Sequence, residues 1–267
     1  MICPDCGKEM ELVYQPSTTE LLNGTLHSFL KLTKPYYVDP DSRAFMIAGS
    51  KHHAGLDAIA KELGLAAEVA LSIDRDIFDL VELEEEGLVL TDYKLWGSFK
   101  VAMALGIVEI GKKPDPSGDV YKSSGKWGKA GSPKMIPEFG IDPSKIDNWE
   151  VELQLNRYRV MLEALGVKVN RMQIQVTVRD GGLYIANQRG VERNTYKIPV
   201  RIMDDEEVKE YFSYKDTCLK TALAHNEWEY PCTDKESWDG IRCKRFCDVA
   251  DYCPKGILVK SIGGKDR

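Results

Sequence analysis

No stretch of the 267 residues stays apolar for long enough to span a bilayer, which excludes a transmembrane helix on hydropathy grounds. The opening Met1-Ile2-Cys3-Pro4-Asp5-Cys6 lacks the regions of a secretory signal peptide, so a cytoplasmic, non-membrane protein is expected. An even cysteine count is also missing. Seven cysteines, most of them clustered, are an odd number for a secreted disulfide framework and suit metal in a reducing compartment better. Positive charge is not in excess either: the net charge of -6 gives no global attraction to nucleic acid, so such binding needs a local basic surface. Finally, no second C-x-x-C follows Cys3 and Cys6 nearby. That pair is either half of a zinc ribbon or two reduced thiols on a mobile end.

What is there suffices for a globular protein. At 43% hydrophobic residues and a mean hydropathy of -0.33, the chain can bury a real core, and one domain with appendages is expected. The most informative stretch runs from Asp76 to Lys94. Apolar runs at Ile77 to Leu83 and Leu88 to Leu90 flank an acidic turn at Gly87, the pattern of a hairpin whose second strand reaches Asp92-Tyr93-Lys94. Asp79 and Asp92 can then face each other across neighbouring strands, with Lys94 on the same side of its strand as Asp92. Two carboxylates at ~4 Å repel by roughly 4 kcal/mol at an effective dielectric near 20, so the pair calls for a cation or a shared proton.

Around this hairpin, Ser17 to Leu32 has helical spacing with a capping box from Ser17 to Glu20, and His27 within it reads as a surface or packing residue. Ser50 to Leu63 reads as a helix closed by Gly64, with Leu56, Ile59, Ala60 and Leu63 on one face and His52 and His53 at the edges of that stripe. Ala67 to Ile73 is a predicted strand, on which Glu68 is a secondary candidate for the acidic site. Gly97 to Gly106 is a predicted short helix. From Ile107 to Trp149 the chain is rich in Gly, Pro, Ser and Lys, and reads as a long loop. Its Lys112, Lys113, Lys122, Lys126, Lys129 and Lys134 surround Tyr121 and Trp127, a composition that suits a strand of nucleic acid or a solvated insertion.

Further on, Asp147 to Leu165 reads as a helix ended by Gly166, with Gln154 and Tyr158 on one face and Arg157 directed to a phosphate or to solvent. Met172 to Val178, Tyr184 to Ala186 and Tyr196 to Ile202 are predicted strands. Asp204 to Ala224 is a helix with an acidic first turn, and Cys218 lies on its apolar face with Val208, Tyr211 and Ala222. After it Cys232, Cys243, Cys247 and Cys253 fall within one short segment. Four soft ligands brought together by turns suit a tetrahedral zinc or an iron-sulfur cluster. Lys244 and Arg245 in that segment are candidates for a further DNA contact.

Four of these motifs occur in an order that resembles the PD-(D/E)xK nuclease superfamily, in the branch of RecB-type nuclease domains and Cas4, including exonucleases encoded by phages. They are Gly49 to His53 as G-x-x-x-H, Asp79, Asp92-Tyr93-Lys94 as D-x-K, and Gln154 to Tyr158 as Q-x-x-x-Y. The resemblance spans Gly49 to Arg179. It implies a restriction-endonuclease-like α/β fold: a mixed sheet flanked by helices over residues 49 to 203, with an insertion at 107 to 148. An N-terminal segment (1 to 48) would precede it and a cysteine-rich, metal-bound lobe (204 to 267) would follow.

The resemblance also implies metal-dependent hydrolysis of DNA. His53, Asp79, Asp92 and the Tyr93 carbonyl would bind Mg2+ or Mn2+, Lys94 would act in catalysis, and Gln154 and Tyr158 would support it. The implied partners are DNA and a helicase, a recombinase or a Cas1/Cas2-type protein, in repair, recombination, or CRISPR or phage DNA processing. For the four cysteines the resemblance favours a [4Fe-4S] cluster over Zn2+. The chain departs from the pattern in two places. Asp76 stands where the branch carries glycine, which keeps Asp74 as an alternative to Asp79, and Cys232 completes a C-terminal set that elsewhere takes one cysteine from ahead of the core, so Cys3 or Cys6 is the variant ligand. The rival reading is a catalytically silent, metal-cluster DNA-binding module that assists a helicase or integrase.

Overall fold

In the computed structural model, which describes residues 14–71, 76–85, 87–126 and 128–262, the chain opens on two short helices, α1 (Thr18–Leu22) and α2 (Thr25–Thr33). The capping box of Ser17 and Glu20 forms, but the single helix expected to Leu32 does not: Asn23 is extended and Gly24 leaves helical geometry. Helix α3 (Pro40–Glu62) begins well before the expected Ser50. Asp39 caps it by accepting from the Asp41 N–H, and Pro40 supplies a pre-set φ in the first turn. Cys3, Cys6, Asp74 and Trp127 lie outside the described residues.

Next come β1 (Ala66–Ala70), β2 (Ile77–Glu84), β3 (Gly87–Trp96) and α4 (Ser98–Leu105), the last ended by Gly106 at φ +66. The expected loop is a correction. Strands β4 (Ile107–Pro114) and β5 (Met135–Ile141) pair antiparallel from Ile107↔Ile141 to Pro114↔Met135, making a separate two-stranded ribbon. Its two strands are far apart in sequence, and Gly, Pro and Lys mask their alternation.

Helix α5 (Trp149–Ala164) leads through Gly166 to β6 (Arg171–Val178). The strand expected at Tyr184 to Ala186 is instead one helical turn, α6 (Tyr184–Asn187), which seats Ala186 in the core. It is followed by β7 (Thr195–Val200) and α7 (Asp205–His225). The C-terminal lobe contains α8 (Asp234–Ser237), α9 (Ile241–Arg245) and α10 (Pro254–Ile262).

The result is an α/β architecture with a mixed five-stranded sheet in the order β1-β2-β3-β6-β7. All neighbours are antiparallel except β3 and β6, which run parallel through the register Val89↔Arg171 to Trp96↔Val178. A parallel pair needs a long crossover, and α4, the ribbon and α5 supply it. Because side chains alternate along β3, Leu90 faces α5 and packs with Leu155, Tyr158, Met172 and Ile174. Tyr93 faces the other way, with Leu80, Ala67 and Ala60 of α3. Leu90, Leu155, Met172 and Ile174 are wholly buried, each contributing about 1.5–3 kcal/mol. A second core joins α1, α2 and α7 to the cysteine-rich lobe through Leu21, Phe29, Phe212 and Leu219. Among the described residues no helix is long and apolar enough to cross a membrane.

Candidate active site and cysteine-rich lobe

The β2–β3 ladder runs from Glu84↔Gly87 to Leu80↔Thr91. Asp79 and Asp92 occupy the next step, where the strands part. With β2 no longer its partner, the Tyr93 N–H donates to Asp79 Oδ2 at 2.6 Å. In a strand a residue's N–H and C=O point to the same side, so the Tyr93 carbonyl faces this gap as well. His53, reaching down from α3, sets its Nδ1 3.4 Å from Asp79 Oδ2.

On the α5 side, Lys94 Nζ forms an ion pair with Asp92 Oδ2 at 2.7 Å. Its angle leaves that buried oxygen without a hydrogen-bond donor. Lys94 Nζ also donates to Gln154 Oε1 at 3.3 Å, and Gln154 Nε2 donates to the Tyr158 hydroxyl at 3.4 Å. The four-residue spacing of Gln154 and Tyr158 stacks them on one face of α5, as the sequence suggests. Asp92, Lys94, Gln154 and Tyr158 thus form one continuous relay, and Asp79 and His53 form a second pair on its flank.

Burial shapes the charges. It raises the Asp92 carboxyl above the usual range, against the pull of Lys94 and with added repulsion from Asp79. His53 is raised chiefly by its hydrogen bond to Asp79, with burial opposing. Burial pushes the Tyr158 phenol up to about 12, so it stays neutral. His52 packs edge-on against His53 and is lowered by burial. Sequence periodicity left these two histidines unresolved, and it is His53 that meets the carboxylate.

Other candidates stand elsewhere. Glu68 falls in the row between Ala67↔Leu80 and Val69↔Phe78, but at φ +47, with its side chain exposed. Arg157 turns away from the relay. Its guanidinium sits over the Phe212 ring at 4.4 Å and lies 3.7 Å from Asp76, lining a cleft of about 480 Å³. Asp76 is buried and accepts from the Thr18 N–H at 2.7 Å, so it ties α1 to the start of β2. The sequence signal for that role was a carboxylate at a strand entry, where the resemblance expects glycine.

In the C-terminal lobe Cys243 and Cys253 are buried, and Cys232 and Cys247 are half-buried beside them. The Cys232 sulfur accepts from the His27 backbone N–H in the first turn of α2, and the Cys247 sulfur from the Val249 N–H. Cys232 packs so tightly on α2 that a Cβ at Gly24 would come within 2.3 Å of its sulfur. Burial pushes the Cys232 thiol up to about 11 and raises Cys243 and Cys247. In all three the neighbouring Cys253 adds to the rise, the mark of thiols sharing one region. A buried ion pair, Lys215 to Glu236 at 2.6 Å, fastens the lobe to α7. Cys218 sits apart in the α7 core, as expected from its periodicity.

Among the described residues, no three His, Cys, Asp or Glu side chains stand together closely enough to hold a metal ion. The donor chemistry still differs between the two sites: carboxylates and an imidazole, including one buried carboxylate oxygen without a hydrogen-bond donor, against thiols that accept backbone N–H groups. No family model and no curated protein matches the chain. Among solved structures it is similar to the crystal structure of SSO0001, at 12% identity over 92% of this chain and 88% of that chain, with a TM-score of 0.44.

Proposed function

We propose that the protein is a divalent-metal-dependent DNA nuclease that hydrolyses phosphodiester bonds with PD-(D/E)xK chemistry, as an exonuclease. The observation that carries this reading is the relay from Asp92 through Lys94 and Gln154 to Tyr158, set beside the Asp79–His53 pair. Asp79, Asp92, His53 and the Tyr93 carbonyl would hold Mg2+ or Mn2+; oxygen donors suit both, and the imidazole favours Mn2+. Asp92 Oδ2 is buried and 2.7 Å from the Lys94 ammonium, and its raised carboxyl would be further stabilised in the charged form by a bound cation. The chemistry such an ion would supply is polarisation of a phosphoryl oxygen and acidification of a water.

The chain's own groups do the rest. Lys94 donates to the attacking water or to a non-bridging phosphate oxygen and offsets the charge that builds there. Gln154 holds the ammonium in place, and the neutral Tyr158 ends the relay with a donor that does not ionise near pH 7. Cys232, Cys243, Cys247 and Cys253 would hold a [4Fe-4S] cluster, or Zn2+ as the alternative. The N–H groups on the Cys232 and Cys247 sulfurs favour their thiolate forms, which fits either ion.

The test is Mn2+-dependent digestion of end-labelled single- and double-stranded DNA by anaerobically purified protein, with a visible spectrum and metal analysis of the same sample. Cleavage by the wild type and its loss in Lys94→Ala and Asp92→Ala support the proposal. Equal cleavage by those variants, or DNA binding without any cleavage, overturns it.

A further inference from the structure

The turn between α8 and α9 holds three successive residues in the left-handed region: Trp238 at φ +50, Asp239 at +52 and Gly240 at +87. For two residues with side chains this is costly, and such outliers persist where the surroundings impose them. Trp238 is 41% exposed, and its ring meets that of Phe246, a residue 58% exposed, edge-on at 5.8 Å. Exposed Ile241 extends the surface. Two large aromatics thus present exposed area side by side.

Charge completes the surface. Lys244 and Arg245 are exposed beside Phe246, and among the described residues neither forms an ion pair. Of the nearby acidic groups, Asp234 is paired with Lys255 and Glu236 with Lys215, which leaves Asp239 and Glu150. Arg242 lies 5.4 Å from the centre of the Trp238 ring, backing it from within. In a chain of net charge -6, a basic, aromatic edge of this kind is a local exception.

Its position links it to the relay. Trp238 Nε1 donates to Glu150 Oε1 at 3.0 Å. Glu150 precedes Gln154 by one turn of α5, a rise of about 6 Å. Trp238 is thereby tied to the residue one helical turn before the side chain that holds Lys94.

We propose that Trp238 and Phe246, with Lys244 and Arg245, form a stacking platform for single-stranded nucleic acid, which the α5 face then leads to the active site. Rings stack on bases without sequence preference, and the two cations meet the phosphates. The proposal rests on nucleic acid being the substrate, and its test separates the two readings by measuring binding without turnover. Fluorescence polarisation of a labelled oligo-dT strand and of a blunt duplex is recorded in EDTA for the wild type, Phe246→Ala and the double variant Lys244→Ser/Arg245→Ser. The substituted side chains are exposed, and thermal melts check that the variants fold.

Loss of the Phe246 ring should weaken single-strand binding at least about fivefold, the lower end for one stacked base, and affect the duplex less. The double variant should reduce the slope of log affinity against log salt by about 1.4 on single strands. Unchanged single-strand affinity in both folded variants overturns the platform, including the case where this edge docks a protein partner. Platform-dependent binding without cleavage leaves this inference standing and removes the nuclease proposal, whereas cleavage and binding indifferent to these variants do the reverse.

Discussion

Arg43 Nη2 lies 2.7 Å from Asp248 Oδ2, so the helix that carries His53 is bolted at its far end to the residue after Cys247. Lys31 of α2 approaches the same carboxylate oxygen at 3.3 Å. Between its ends, Phe45 of α3 packs under the Arg179 guanidinium at 3.9 Å, just beyond β6. Helix α3 therefore spans from the thiol-rich lobe, past the edge of the sheet, to Asp79. Replacing Asp248 with Ala should release both cations and loosen this span. If the proposed nuclease activity holds, the expected result is a fewfold to about tenfold loss of its rate, equivalent to ~1 kcal/mol for partly exposed pairs, with the lobe from Cys232 to Cys253 still folded. Steady-state cleavage and circular dichroism on the same preparations check it.

Gln154 gives a sharper separation. Its amide oxygen is the acceptor that fixes the Lys94 ammonium on the α5 side. Gln154→Leu keeps the bulk and removes the acceptor, so rate should fall by about 10- to 100-fold while duplex and single-strand binding hold. Single-turnover cleavage beside binding in EDTA checks the split.

The parts of this site read correctly from sequence are those with a short period. The Asp76 to Lys94 hairpin shows two apolar runs around an acidic glycine turn, and Gln154 and Tyr158 are one turn apart on a helix closed by Gly166. What eluded the sequence depends on distant partners. The β4–β5 pairing joins residues on either side of a long polar excursion, and the Tyr184 segment is helical because Ala186 fits the core, although its residues suit a strand. The Asp39-Pro40 signal for an earlier start of α3 was present, yet exposed residues along most of that helix give no apolar stripe to read. Asp76 pairing with Arg157, and Trp238 bonding to Glu150, involve contacts no spacing encodes.

Gly24 is a position where a single methyl is decisive. An added Cβ would meet the Cys232 sulfur at 2.3 Å and its Cβ at 2.8 Å. Gly24→Ala must push Cys232 off the first turn of α2 and break its bond from the His27 N–H. The expected outcome is a loss of about 1–3 kcal/mol in stability, as for other overpacked cores, with less bound metal after anaerobic purification. Thermal melting and metal analysis report the two effects separately.

His27 predicts the acid limb of stability. Burial, aided by Arg242 and Lys31, lowers its pKa from 6.5 to about 3, and its Nδ1 has no hydrogen-bond partner. The folded protein keeps it neutral while the unfolded chain takes up a proton below pH 6.5. Its contribution is therefore fully present above 6.5 and is lost progressively as pH falls towards 3, at up to about 1.4 kcal/mol per pH unit. His27→Leu should flatten that slope, as measured by urea unfolding at several pH values between 7 and 4.

The ribbon leaves and rejoins the molecule at a single doorway. Ile107 pairs with Ile141, the Asp142 N–H bonds the Gly106 carbonyl at 2.8 Å, and Gly190 admits Phe139 and Ile107 at its base. Beyond that threshold, among the described residues, the ribbon strands pair only with each other and with no strand of the main sheet. The arm is thus an appendage whose length can vary apart from the relay on β3 and α5.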